Sequence, residues 1–253
     1  MDKLSELIEI LEKERGDSPR VVDETQKFNY FRSLVNVRYP FPASPAFIEL
    51  QDEYLSELLK QRGVTDAESL RYDGDGIALW KGDITTLKVG AIVNAANSQM
   101  LGCFYPCHKC IDNAIHTFAG VQLRQECHQV MSRKGREAKT SEAILTKAYN
   151  LPCKYILHTV GPIVYGTLTE KEKSELALCY RNCLELAVKN NVGSVAFCCI
   201  STGEFHFPND VAAKIAVRTV RKFKREKKCD VKVVFNVFKE RDHEIYRKLL
   251  GQN

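Results

Sequence analysis

The sequence predicts an α/β layered domain with a largely parallel sheet, preceded by a helical extension. Two observations carry that expectation. Up to about residue 70 the apolar residues recur at helical spacing, whereas from Ile77 onward short apolar runs alternate with helical patterns, the texture of strands joined by helices. Three of those short runs end in polar loops, at the strand ends where open α/β sheets bind ligands.

In the first part, Leu4, Leu7, Ile8 and Leu11 share one helix face and Gly16 is a stop signal. Pro40-Phe41-Pro42 marks a break. A second helix starts at Ser44, an N-cap with Pro45 at the first helical position. Phe47, Leu50, Tyr54, Leu55 and Leu58 form its apolar stripe and Gly63 ends it. The boundary falls near residue 72, at Tyr72-Asp73-Gly74-Asp75-Gly76. This gives an extension over residues 1–71 and a second domain over 72–253. Strands are expected at 77–80, 91–94, 141–148, 155–160, 195–200 and 231–235, and helices after Cys110, Val121, Thr169, Asn209 and Lys239. Thr169 with Glu172 makes a capping box.

Composition narrows the function classes. The 253 residues are 44% hydrophobic and 27% charged, ordinary for a globular protein with a sizeable core. A net charge of +5 favours anionic ligands slightly and does not argue for nucleic acid. The basic run from Arg218 to Lys228 is interrupted by Val220 and Phe223 at core spacing, as in a solvated helix face. No apolar stretch approaches the roughly 20 residues that span a bilayer, and the N-terminus lacks the apolar core of a secretory signal. Ten cysteines scattered through a chain of this length, many inside apolar segments, fit a reducing cytoplasm better than a disulfide scaffold.

The chemistry concentrates in three loops. Strand 77–80 runs into Lys81-Gly82-Asp83-Ile84-Thr85, and 91–94 into Asn94-Ala95-Ala96-Asn97-Ser98. The run ending at Ile200 leads into Ser201-Thr202-Gly203-Glu204-Phe205-His206-Phe207-Pro208, just before a helix. Loop amides and a helix N-terminus cradle anions, and an acid such as Asp83 suits an exocyclic amine. After the asparagine turn, Cys103, Cys107, His108 and Cys110 put three thiols and an imidazole within eight positions, a soft-metal ligand set.

The motifs Gly82-Asp83-Ile84-Thr85, Ile92-Val93-Asn94-Ala95-Ala96-Asn97 and Ile200-Ser201-Thr202-Gly203, with Phe205 and Phe207-Pro208, resemble those of the macrodomain family, in the family's order, over roughly residues 72–250. The resemblance implies a three-layer α/β/α fold with a mixed, largely parallel sheet, and binding of ADP-ribose. By that likeness Asp83 holds the adenine amine with the Ile84 amide nearby. Ser201, Thr202, Gly203, Glu204 and Phe205 wrap the pyrophosphate, and Asn97 faces the distal ribose. Ordinary macrodomains follow the asparagine turn with a glycine-rich run. Here Cys103-Phe104-Tyr105-Pro106-Cys107-His108-Lys109-Cys110 stands in its place. That resembles the zinc-containing branch, which carries a helical extension and hydrolyses protein-linked ADP-ribose. Its Cys-x4-His-x-Cys ligand pattern maps onto Cys103, His108 and Cys110, leaving Cys107 outside. One Zn2+ per chain is implied. Three ligands leave the fourth position open for chemistry, and Asp112 is expected to orient water or position the ribose. The resemblance thus implies a zinc-dependent hydrolase acting on mono-ADP-ribosylated proteins, with Asn97 and Asp112 as catalytic residues.

Plainer readings stand beside these. Cys107 could close a structural four-ligand site, Asp112 could cap the helix after Cys110, and Asn94, Asn97 and Asp83 could serve their own turns. His116 and His158 read as hydrogen-bonded interior residues. Glu204 beside a pyrophosphate is unfavourable unless it points outward or toward the metal, and His206 reads equally as a solvent-facing loop residue. The rival class is a reader module that binds ADP-ribose around a structural zinc. Hydrolysis of a small ADP-ribose ester is a neighbouring enzyme reading.

Overall fold

A computed structural model describes residues 2–251. The extension forms helices α1 (Lys3–Arg15), α2 (Lys27–Val37) and α3 (Pro45–Arg62). Gly16 closes α1 in the left-handed conformation, its N–H returning to Glu12 and Lys13 carbonyls. Ser44 caps α3, accepting from the Phe47 amide, with Pro45 behind it. Leu7, Ile8, Leu11, Phe31, Leu34, Val35 and Phe47 make a small core of their own, completed by Val121 from the main domain. Helix α2 is the element not foreseen individually; its Phe31, Leu34 and Val35 sit at helical spacing on the buried face.

A short strand β1 (Thr65–Asp66) pairs in parallel with β3 (Leu87–Lys88), outside the main sheet. The main sheet contains β2 (Ile77–Lys81), β4 (Ala91–Ala96), β5 (Ala143–Lys147), β6 (Tyr155–Val160), β7 (Ser194–Phe197) and β8 (Lys232–Val237). Their order is β2-β8-β7-β4-β6-β5. Every pairing is parallel except β5 with β6, which is antiparallel at the edge. This is the expected mixed, largely parallel sheet. Residues 91–94 of β4 are buried on both faces, as a central parallel strand requires.

The crossovers place the helices. From β4 the chain passes through α4 (Ile111–Ala119) and α5 (Val121–Lys134) before β5 and β6, toward one edge. It then returns through α6 (Glu170–Lys189) to β7 and through α7 (Asn209–Lys227) to β8, toward the other. Right-handed connections running in opposite directions put α4 and α5 on one face and α6 and α7 on the other, giving three layers. Helix α8 (Glu240–Leu249) follows β8 and packs on α7. The capping box at Thr169 is present, Thr169 and Glu172 each serving the other's backbone amide.

The last run of the expected strand 195–200 is not strand. The ladder stops at Phe197, because Thr202 turns back, its hydroxyl donating to the Cys199 carbonyl at 3.0 Å, and Ser201 adopts φ 65°. Cys198 to Ile200 thereby become part of the loop that follows β7.

Candidate functional site

Because β2, β4 and β7 run parallel, the loops that follow them emerge along one edge of the sheet. Strained backbone gathers there. Of eight non-glycine residues with positive φ among the described residues, four lie in the loops after β4 and β7: Met100, Cys107, Ser201 and His206. Such outliers cost free energy and persist where the surroundings enforce them, commonly at functional sites.

After β2, Asp83 caps the short turn Ile84–Thr86. Its Oδ1 accepts from the Thr85 amide (2.9 Å) and hydroxyl (2.7 Å). The local-turn reading therefore holds for one oxygen. The other, Oδ2, accepts from Arg62 of α3. Ile84 is buried beneath the turn.

After β4, Asn97 uses both ends of its amide within the loop, accepting from the Met100 N–H and donating to the Gly102 carbonyl, each at 3.1 Å. Gly102 (φ 81°) lies on the His116 ring so closely that a Cβ would come within 2.7 Å of it, so only glycine fits. Asn94 is buried under the loop and donates to Asp112 Oδ1 at 2.7 Å. Cys110, not Asp112, caps α4, its sulfur accepting from the Asn113 amide. Asp112 is thus free of the capping role. It is 5% exposed, and burial pushes its carboxyl up to about 6, against the opposing pull of the Asn94 hydrogen bond and the Arg124 charge.

Cys103, His108 and Cys110 bring their ligand atoms within 4.8 Å of one another, with Cys103 Sγ 3.6 Å from His108 Nδ1. Two ligands at ordinary Zn–S and Zn–N lengths in a tetrahedron stand about 3.6 Å apart, so the donor set fits one Zn2+. Cys107 turns away. Its thiol donates to the Asn29 carbonyl (3.1 Å) and its N–H to Asn36 Oδ1 (2.9 Å), both on α2. Cys107→Ala is therefore expected to keep about one zinc per chain and Cys110→Ala to lose it, measured by elemental analysis of the purified variants.

The metal-type loop is bracketed by the extension. Arg32 of α2 donates to the His108 carbonyl at 2.8 Å and to Asn113 Oδ1 at 2.7 Å. Arg124 of α5, itself buried, donates to the Leu101, Val35 and Arg38 carbonyls, tying the loop to the C-terminal end of α2. Burial lowers the Arg124 guanidinium to about 10, with Asp112 the leading charge opposing that shift.

After β7, Ser201 is buried and tucked against Gly161, where a Cβ would strike its Oγ at 2.0 Å. The Phe207 amide returns to the Ser201 carbonyl (3.0 Å), and Val164 donates to Phe205 (3.0 Å). Among the described residues, the N–H groups of Gly203, Glu204 and Phe205 find no backbone acceptor, so they are available to an anion ahead of α7. Glu204 is exposed and places Oε1 3.8 Å from His108 Nε2. It points outward and toward the metal-type loop, as a carboxylate beside a ligating imidazole does. His206 is exposed.

Of the interior histidines, His158 is hydrogen-bonded as expected, to Asn94 (3.1 Å) and Thr146 (2.9 Å). His116 corrects that expectation, since among the described residues neither ring nitrogen has a hydrogen-bond partner. It is wedged under Gly102, with Asp112 Oδ1 3.6 Å away.

Sequence reasoning passed over Arg32, Asn36, Arg62 and Arg124, which sit outside any motif and reach the site only through tertiary packing. Phe238 was also missed, although a signal existed. It directly follows β8, whose Val237 pairs with Lys81, so it emerges beside Gly82 and Asp83. It is 75% exposed, an apolar ring at a strand end left open to solvent among the described residues.

Comparison with known proteins agrees with this architecture. A Macro domain family model matches residues 93–216. The protein-ADP-ribose hydrolase of Treponema medium is 53% identical over 234 residues, covering 90% of this chain and 89% of the relative. That of Staphylococcus aureus (strain MSSA476) is 45% identical, covering 99% of this chain and 96% of the relative. With a likeness of that extent, the chain belongs to the macrodomain family. Among solved structures, the Trypanosoma brucei macrodomain in complex with ADP superposes with a TM-score of 0.67 at 34% identity, over 88% of this chain and 96% of that one. No described helix is long and apolar enough to cross a membrane.

Proposed function

We propose that this chain is a zinc-dependent hydrolase that removes mono-ADP-ribose from modified protein side chains. One observation carries the reading: the contact of His108 with Glu204 at 3.8 Å. It joins a three-residue metal ligand set to the loop whose free amides suit a pyrophosphate. A ligand seated in that loop would therefore have its distal end beside the metal position. The hydrolase names of the T. medium and S. aureus relatives support the activity, and the ADP complex of the T. brucei relative supports the ligand class.

In this reading Asp83 Oδ2 and the Ile84 amide meet the adenine edge, and Phe238 offers its exposed ring to the base face. Ser201, Thr202, Gly203, Glu204 and Phe205 wrap the pyrophosphate through backbone amides, with the α7 N-terminus behind them. Asn97 shapes the loop and turns toward the distal ribose. Cys103, His108 and Cys110 hold one Zn2+, which when bound supplies Lewis acidity toward an oxygen at the scissile end. Asp112, buried beneath that loop and held by Asn94, orients the water or the ribose hydroxyl. The ten free thiols support a reducing, cytoplasmic setting. ADP-ribose and mono-ADP-ribosylated proteins are the partners; neither a membrane nor nucleic acid is part of the proposal.

The test is incubation of a mono-ADP-ribosylated protein with the purified chain. Release of free ADP-ribose supports the hydrolase. Tight binding of ADP-ribose without release, across carboxyl-, serine- and arginine-linked substrates, would make it a reader with a structural zinc.

A further inference from the structure

We propose that Arg62, the last residue of α3, is a positioning residue that fixes Asp83 for an exocyclic amine, so that the helical extension sets the nucleobase preference of the site. This rests on the ADP-ribose reading above. The two oxygens of Asp83 are not equivalent. Oδ1 is saturated by the amide and hydroxyl of Thr85. Oδ2 accepts from Arg62 Nη2 at 2.5 Å, and the same nitrogen reaches Thr85 Oγ1 at 2.8 Å. A carboxylate oxygen has two lone-pair sites, so Oδ2 keeps one, on a side chain that is 39% exposed. That remaining site takes an N–H donor and repels a carbonyl oxygen.

The guanidinium is itself held. It lies over the Phe118 ring, 3.8 Å from the centroid, and Phe118 stacks on Phe28 of α2 at 5.9 Å with planes 17° apart. Arg62 is only 20% exposed. A planar, permanently charged group stacked on an aromatic face fixes direction in a way that a lysine ammonium does not. Two helices of the extension thus reach the carboxylate of the main domain through one stack: Phe28, Phe118, Arg62, Asp83. Without the guanidinium, Asp83 keeps its bonds to Thr85, but Oδ2 loses the hydrogen bond that Arg62 donates.

A loss of general positive charge would weaken every diphosphate ligand alike. A loss of aim at the amine would weaken only a base that carries one. The experiment therefore compares ADP-ribose with its inosine analogue, which has a carbonyl oxygen where adenine has the amine. Both are titrated calorimetrically into the full chain as wild type, Arg62→Ala and Arg62→Lys, with thermal melts alongside. Wild type is expected to prefer ADP-ribose by about tenfold or more, the scale of a hydrogen bond to a charged group against an unpaired one. In Arg62→Ala, ADP-ribose affinity falls about tenfold while the inosine analogue changes by less than about twofold, and the preference collapses. Arg62→Lys falls between. Equal weakening of both ligands, an unchanged ratio, or tighter ADP-ribose binding in Arg62→Ala would overturn the proposal. If Arg62→Ala does not fold, the ratio in Arg62→Lys decides by the same criterion. Wild type that binds neither ligand refutes the ADP-ribose reading itself, a result distinct from a base preference that Arg62 does not control.

Discussion

His108→Ala is expected to lose most of its zinc and to slow release of ADP-ribose from a modified protein by on the order of 100-fold or more, several kcal/mol of transition-state stabilisation. Affinity for free ADP-ribose should change far less. Apart from Asn97, the residues proposed to hold the ligand lie in the other loops: Asp83 after β2 and the amides of Gly203, Glu204 and Phe205 after β7. The fold should also survive. His108 is half-buried in a loop that Arg32, Asn36 and Arg124 hold through backbone groups, none of which depends on the imidazole. Elemental analysis, calorimetry and a release assay on one preparation separate these effects. Loss of binding in parallel with loss of turnover would mean that the metal site shapes the ligand pocket and takes no part in the chemistry.

Asp112→Asn is the second large effect, with turnover expected to fall about 100-fold, within the range of a positioned acid–base group. The amide is the informative replacement. Asp112 accepts from buried Asn94 at 2.7 Å, and alanine would leave that donor unpaired at a cost of about 1–3 kcal/mol. Asparagine still presents an oxygen there and removes the carboxylate. Near-wild-type melting and ADP-ribose binding with slow release would assign Asp112 to the reaction. Unchanged release would return it to the role of a buried anchor for Asn94.

The legible part of this chain was the part encoded locally. Gly16, Ser44 with Pro45, and Thr169 with Glu172 each fix a helix end by their own backbone chemistry, and all stand where the sequence put them. Strand β6 coincides with its predicted span because Tyr155–Val160 is rich in strand-forming residues, and even its His158 and Thr159 are buried. The next strand along the chain, β7, ends early because the turn at Thr202 competes for the Cys199 carbonyl, a contest that hydrophobic pattern does not register. The ligand set Cys103, His108 and Cys110 was visible because the three fall within one short loop. The family's ligand pattern already left Cys107 outside that set, but the physical cause was not legible, since it depends on α2 presenting the Asn29 carbonyl and Asn36. The same holds for Arg62, which is one more charged residue at a helix end in the sequence. Only the packing of α3 against the turn at Asp83 gives it a partner.

A metal held by Cys103, His108 and Cys110 is proposed to serve the cleavage of protein-linked ADP-ribose. The most direct measurement is release of ADP-ribose from a mono-ADP-ribosylated protein by three samples of the same folded chain: as purified, stripped of metal with a chelator, and stripped then resupplied with one equivalent of Zn2+. Metal content and thermal melting are recorded for each. Release is expected in the first, its loss in the second while the chain still melts cooperatively, and recovery in the third. A metal-free, folded chain that releases ADP-ribose at the full rate would contradict it, and the metal would then be structural.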